Sequence, residues 1–190
     1  MEIIRDLEEF TKEYFRIYPF YKGTEKDLKR AKEQFKNEIM IRFDDKYILL
    51  LDNKAGIESE LLYDDELPRP EKTKEYFMNY NINWHSNYSF VNEYLKEKER
   101  LQKEGCASGR YDYNGIKLEK ANDNGLVGLD VEDFRFESDK YKFVRYLSNE
   151  EQEELLKIID MIHKNYIERL EKYWNRYQDK IHCRGYWVNR

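Results

Sequence analysis

"SNEEQEELLKIIDMIHKNYIERLEKYWNRY", residues 148–177, is the longest stretch of this chain written in a single periodicity. Leu155, Ile159, Ile162, Tyr166, Leu170, Tyr173 and Tyr177 recur at intervals of four, three, four, four, three and four, which lays them along one face of an α-helix. Ser148, with Glu151 three residues on, has the pattern of a capping box, so the start of the helix is marked as well. About thirty residues at 1.5 Å each make a rod of about 45 Å. A domain of 190 residues does not need one so long. The stripe from Tyr166 to Tyr177 is therefore expected to meet a partner or a second copy of the chain, as in a homodimer.

Upstream, Ile3, Leu7, Phe10, Tyr14 and Ile17 repeat with helical spacing and predict a helix over residues 2–18, stopped by Pro19. Thr24 with Asp27 opens a second helix that carries Leu28, Ala31 and Phe35 and runs to about Asn37. "IMIRF" (39–43) and "YILLLD" (47–52) flank a polar turn and read as a hairpin whose second strand is buried on both faces. The prolines and charges of Asp64 to Lys72 mark an exposed loop within the domain. A short helix over 71–80 and a largely solvated one over 89–104 follow, the latter with only Phe90, Tyr94, Leu95 and Leu101 as its apolar stripe. Strands are expected at 116–119, 126–131, 134–136 and 141–147, in a second small sheet or one shared with the hairpin. The fold class is thus α+β: a single domain over 1–190, mostly helical, with one or two small antiparallel sheets and a long C-terminal helix.

Composition narrows the function classes. Hydrophobic residues are 40% of the chain and charged ones 38%, with 34 Lys+Arg nearly balanced by 39 Asp+Glu, which describes a folded protein with an ion-rich surface. The longest apolar run is Tyr47–Leu51, far too short to cross a bilayer, and no basic-then-apolar leader opens the chain. A membrane partner and secretion are not expected; the host cell cytoplasm is. Cys106 and Cys183 are the only cysteines and read as reduced thiols. Seventeen tyrosines, with abundant Lys, Glu, Asn and Ile, are what an AT-rich genome encodes and fit a phage or mobile element of a low-GC bacterium.

Charge is segregated along the chain. Residues 123–154 hold ten acids against four bases, and residues 155–190 hold eight bases against four acids. Asp130 and Glu132, about 6.8 Å apart on one side of a strand, approach the spacing of successive phosphates. Together with Asp133 they could mimic nucleic acid in a basic channel; the plainer reading is a solvated strand followed by carboxylates at a helix start. Asp45, Asp52 and Lys54 resemble the two acids and a lysine of a Mg²⁺-dependent nuclease, but their spacing is too short and Asn53-Lys54-Ala55-Gly56 reads as a turn. His85, His163 and His182 lack neighbours at metal-ligand spacing, apart from Cys183 beside His182. No catalytic residue, metal or cofactor is assigned.

The closing stretch "YWNRYQDKIHCRGYWVNR", residues 173–190, interleaves aromatic rings with Arg176, Arg184 and Arg190. It predicts either a clasp in which Trp187 docks on the core or a binding surface that stacks bases and holds phosphates. Its Tyr-x-x-Arg-Tyr followed by Tyr-Trp-x-Asn-Arg resembles the C-terminus of small proteins carried by phages and mobile elements of Firmicutes, some of them anti-CRISPR-like. The resemblance covers residues 173–190 only and transfers no catalytic residue. It implies an anti-defence inhibitor that binds a Cas9-type effector, or its guide-RNA complex, and blocks nucleic-acid binding or cleavage without catalysis. Asp130, Glu132, Asp133, Arg176, Arg184, Trp187 and Arg190 are the expected contact residues. The alternatives are a nucleic-acid-binding accessory protein using the basic aromatic tail, and a cryptic metal-dependent nuclease.

Overall fold

A computed structural model describes residues 1–62, 73–104, 115–131 and 142–184. The central hairpin forms as its sequence predicts, with β2 (Glu38–Phe43) antiparallel to β3 (Tyr47–Asp52). Asp44 adopts φ +53° in the turn, a conformation that a short polar side chain tolerates better than most. Four more strands extend this hairpin into one sheet: β1 (Glu2–Ile4), β5 (Ile116–Lys120), β6 (Leu126–Val131) and β7 (Lys142–Tyr146), in the order β1-β2-β3-β6-β5-β7.

The sheet is mixed, which corrects the expectation of small antiparallel sheets. Strand β6 runs parallel to β3, with Ile48 opposite Leu126 and Leu49 opposite Val127. The β5–β6 hairpin docks as a unit, and the chain must travel out and back before its second strand reaches β3. Where the hairpin turns meet, Gly125 has φ +98° and a Cβ there would lie 2.2 Å from the Lys46 carbonyl oxygen. Only glycine allows that approach without displacing backbone.

Helices cover both faces of the hairpin half of the sheet. Helices α1 (Leu7–Ile17) and α2 (Glu25–Asn37) bury Phe10, Tyr14, Ile17 and Ala31 against Ile4, Met40 and Ile48. On the other face Ile41, Phe43, Leu49, Leu51, Ile116, Leu118 and Val127 meet Leu155, Ile158, Ile159 and Ile162 of α5 (Asn149–Tyr177). The alternation of β2 and β3 thus feeds two cores, so both faces of the hairpin are apolar. The helix expected over 2–18 begins later. Asp6 caps α1 by accepting the Glu9 N–H at 2.9 Å, and Glu2–Ile4 pairs with β2 instead. Ile3 is in helical phase with Leu7, but a strong capping residue between them resets the backbone.

The second half of α5 has its own cover. Helices α3 (Lys74–Trp84) and α4 (Ser86–Glu104), each displaced a few residues from its expected range, follow a short strand, β4 (Glu60–Leu62). Phe77 of α3 is buried in a third cluster with Tyr166, Leu170 and Ile181, and Tyr173 and Trp174 pack against it. Helix α3 of the same chain thus covers that stripe from Tyr166 to Tyr173, and Tyr177 lies beyond the cluster. Beyond α5 and a 3₁₀ turn, the closing residues enter a strand, β8 (His182–Arg184), which pairs parallel with β4 in a small second sheet. The loop expected at 64–72 and the strand expected at 134–136 lie outside the described residues. Truncation of Phe77 to Ala should cost about 3–5 kcal/mol and lower the melting temperature by several degrees in a circular dichroism melt.

Candidate functional site

After β3 the chain turns through residues 53–58, and its backbone there is bonded by side chains from three helices. Lys54 N–H donates to Asp52 Oδ1 at 2.8 Å, and Asn53 N–H to the Asn37 carbonyl at 2.8 Å. From α3, Asn81 accepts the Glu58 N–H at 2.7 Å and returns its own N–H to the Glu58 carbonyl at 3.1 Å. Its carboxamide bonds that residue as a neighbouring strand would, two residues before β4 begins. From α4, Asn87 donates to the Asp52 carbonyl at 2.7 Å. From α5, Tyr166 donates to the Gly56 carbonyl at 3.0 Å, and Arg169 donates to the carbonyls of Asn53 and Ala55. Asn81 and Asn87 are buried, so these bonds satisfy groups that water cannot reach.

This node fixes where the end of the chain goes. Once residue 58 is held, β4 is placed, and Leu61 stands opposite Cys183 in the β4–β8 pair. Ile181, 1% exposed, anchors the end of α5 just before β8. Ile181 and the β8 backbone thus hold the chain up to Arg184.

Beyond the anchored part, α5 presents a mixed aromatic and cationic surface. Phe77 stacks on Tyr173 at 6.1 Å and meets Trp174 at 5.5 Å, so these two rings of the closing stretch belong largely to the core. Tyr177 continues from Tyr173 at 4.8 Å. The exposed side chains of Arg176 and Lys180 lie over its ring, 5.1 and 5.9 Å from the centroid. On α3, Tyr76, Tyr80 and Trp84 form a row with centroid separations of 6.4 and 5.9 Å, and Trp84 is 70% exposed.

The other residues singled out in the sequence fall as follows. Asp130 lies on β6, where Lys117 holds its carboxylate at 3.2 Å and also reaches Glu119 at 3.3 Å. One cation is thus shared between two carboxylates within the sheet. Arg184 lies in β8. Glu132, Asp133, Trp187 and Arg190 lie outside the described residues. Asp45 lies in the hairpin turn and Asp52 at the far end of β3, beyond about 17 Å of extended strand, and Lys54 belongs to the turn after it. The three residues of the nuclease reading are not brought together. Among the described residues, no three His, Cys, Asp or Glu side chains gather as a metal ion would require.

One ionisable residue escaped the sequence reading. Glu38 faces Asp52 across the hairpin ladder and sits beside Tyr14 and Tyr18. Burial, and then the charge of Asp52, push its carboxyl up to about 7. The signal was present in the hairpin register: once Phe43 pairs with Tyr47, Glu38 must pair with Asp52.

A scan against protein-family models and searches of curated proteins and of solved structures find no match to this chain.

Because Glu38 is protonated more readily in the folded protein than at its ordinary value of 4.5, its contribution to stability is full below about pH 4.5 and is lost as pH rises through 7. Glu38→Gln should therefore melt higher than the parent protein at pH 8, with the difference vanishing near pH 4. Melts of both proteins at the two pH values check this.

Proposed function

We propose that this protein acts by binding rather than catalysis, as an anti-defence inhibitor that engages a Cas9-type effector or its guide-RNA complex. The observation that carries this reading is the far end of α5, where Arg176 and Lys180 lie exposed on the Tyr177 ring. An exposed guanidinium and ammonium on an aromatic ring suit a partner rich in carboxylates or phosphates. The resemblance of residues 173–190 to phage-borne anti-CRISPR-like proteins supplies the partner class. Arg184, in the strand that follows, belongs to the same proposed contact. Asp130 shares Lys117 with Glu119, so the trio keeps one net negative charge, and the Asp130 side chain is 44% exposed. Asp130 therefore stays with Glu132 and Asp133 in the proposed acidic contact.

A second reading has the same surface hold single-stranded nucleic acid directly, and the cation-bearing Tyr177 also favours it, since bases stack on such rings. The two readings differ in what nuclease treatment does. Pull-down of a Cas9-type effector with its guide RNA should retain the effector after ribonuclease treatment if the effector is the partner, and lose it if RNA is the bridge.

Reversal of both charges, Arg176→Glu with Lys180→Glu, should weaken capture by about tenfold or more while the melting temperature stays within a degree or two, because exposed charges contribute little to stability. The difference should shrink as salt rises. Unchanged capture by this variant would remove α5 from the interface. Purified protein with Mg²⁺ or Mn²⁺ should leave DNA and RNA intact, and Asp45→Ala, Asp52→Ala and Lys54→Ala should inhibit as the parent protein does. Metal-dependent cleavage that these changes abolish would contradict the non-catalytic reading.

A further inference from the structure

Two histidines occupy the seam between α4 and α5, and the node at residues 53–58 does not use their ring nitrogens. His85, between α3 and α4, lies 4.5 Å from Tyr166, centroid to centroid. Tyr88, one turn along, stacks on His163 at 4.4 Å and 23°. His85 with Tyr88 and His163 with Tyr166 are each three residues apart, so the two contacts lie on adjacent turns of one seam. His85 is 2% exposed. Its Nδ1 accepts the Tyr88 N–H at 3.4 Å, which leaves the ring proton on Nε2. That Nε2 is buried without a partner, and so is Nδ1 of His163.

Both imidazoles are suited to the neutral form. A proton added to His85 creates a cation in a buried seam, and one added to His163 creates a cation in a half-buried stack. Asp52 of β3 draws His85 toward protonation, but its Oδ1 already accepts the Lys54 N–H. Arg169 of α5 and His163 itself repel a charge on His85, and Asp160 is the carboxylate that favours one on His163. The other groups packed here are neutral: Tyr166 on α5, Tyr88 on α4 and Asn81 on α3. Burial outweighs the nearby carboxylates and holds both rings below the usual histidine value of 6.5. For a depressed base the stabilisation is present above 6.5 and lost as pH falls below it.

We propose that the His85–Tyr166 and Tyr88–His163 contacts form a proton-operated latch, in which protonation of the two imidazoles frees the start of α4 and the 53–58 loop from α5. Of the four rings, Tyr166 belongs to the cluster of Phe77, Leu170 and Ile181 at the far half of α5, so the latch acts on that end of the molecule. Its consequence reaches the C-terminal strand, since residue 58 leads directly into β4 and β4 holds β8. The inference stands apart from the proposed partner and concerns the chain alone.

Amide hydrogen exchange on the whole protein at pH 7.5 and pH 5.5, corrected for intrinsic exchange rates, tests it. Protection of residues 53–58 and 85–90 should fall at pH 5.5, with the opening constant rising about tenfold per pH unit for each proton taken up. Strands 39–51 and 116–131 should keep their protection. His85→Phe with His163→Phe keeps two rings in the seam and removes both proton sites, so the acid-induced loss should disappear. Should that variant fail to fold, ring titrations by NMR on the parent protein decide the matter: both histidines should titrate below 6.5, with midpoints that coincide with the loss of protection. Protection independent of pH, the same loss in the double variant, or rings that titrate at 6.5 would overturn the latch.

Discussion

The apolar stripe of α5 constrains everything else in this molecule. A helix of 29 residues, about 43 Å long, buries side chains from Leu155 to Leu170 and so needs cover along most of its length. The sheet supplies that cover to the first half and α3 to the second. Exposed, a stripe of this kind would forfeit about 1.5–3 kcal/mol for each large side chain, more than a small domain has in reserve. The chain therefore crosses from β3 to α3 and α4 before completing the sheet, and the route runs through residues 53–58. Polar bonds hold that crossing, a part-exposed connection whose bonding side chains Asn81, Asn87 and Tyr166 are themselves buried and have no water to bond instead.

What was legible in the sequence was local. The hairpin, α2, α5 and both capping boxes can be read from the chain because each is specified by residues within a turn or two of one another. The start of α1 misleads because Ile3 fits either a helix or an edge strand, and the bonds offered by β2 decide between them. The parallel pairing of β3 with β6 and of β4 with β8 joins segments more than seventy residues apart, and nothing local encodes it. Covering α5 in cis was equally hidden. The stripe does announce a need for cover, but α3 meets it from Tyr166 to Tyr173 with Phe77, a residue whose neighbours Tyr76 and Tyr80 look as apolar as it does.

The site followed the same division. Glu38 could be found from hairpin register alone. Asn81 and Asn87 could not, since asparagine on a helix is most often a surface residue and these two are buried only because a loop backbone needs them. In the closing stretch the sequence presented aromatic and basic residues as one set, whereas the fold divides them. Tyr173 and Trp174 are packed against Phe77, while Tyr177 carries two cations at the surface. The proposed binding function depends on that division, because a side chain committed to the core is not available to a partner.

The most direct measurement is a titration of a purified Cas9-type effector, loaded with guide RNA, with increasing amounts of this protein while target-DNA cleavage is followed. A binding inhibitor predicts a loss of cleavage that saturates near a fixed ratio of chain to effector and does not deepen with longer preincubation. Unimpaired cleavage at a large excess of the chain, or a loss that grows with time at a small fraction of the effector concentration, would contradict it.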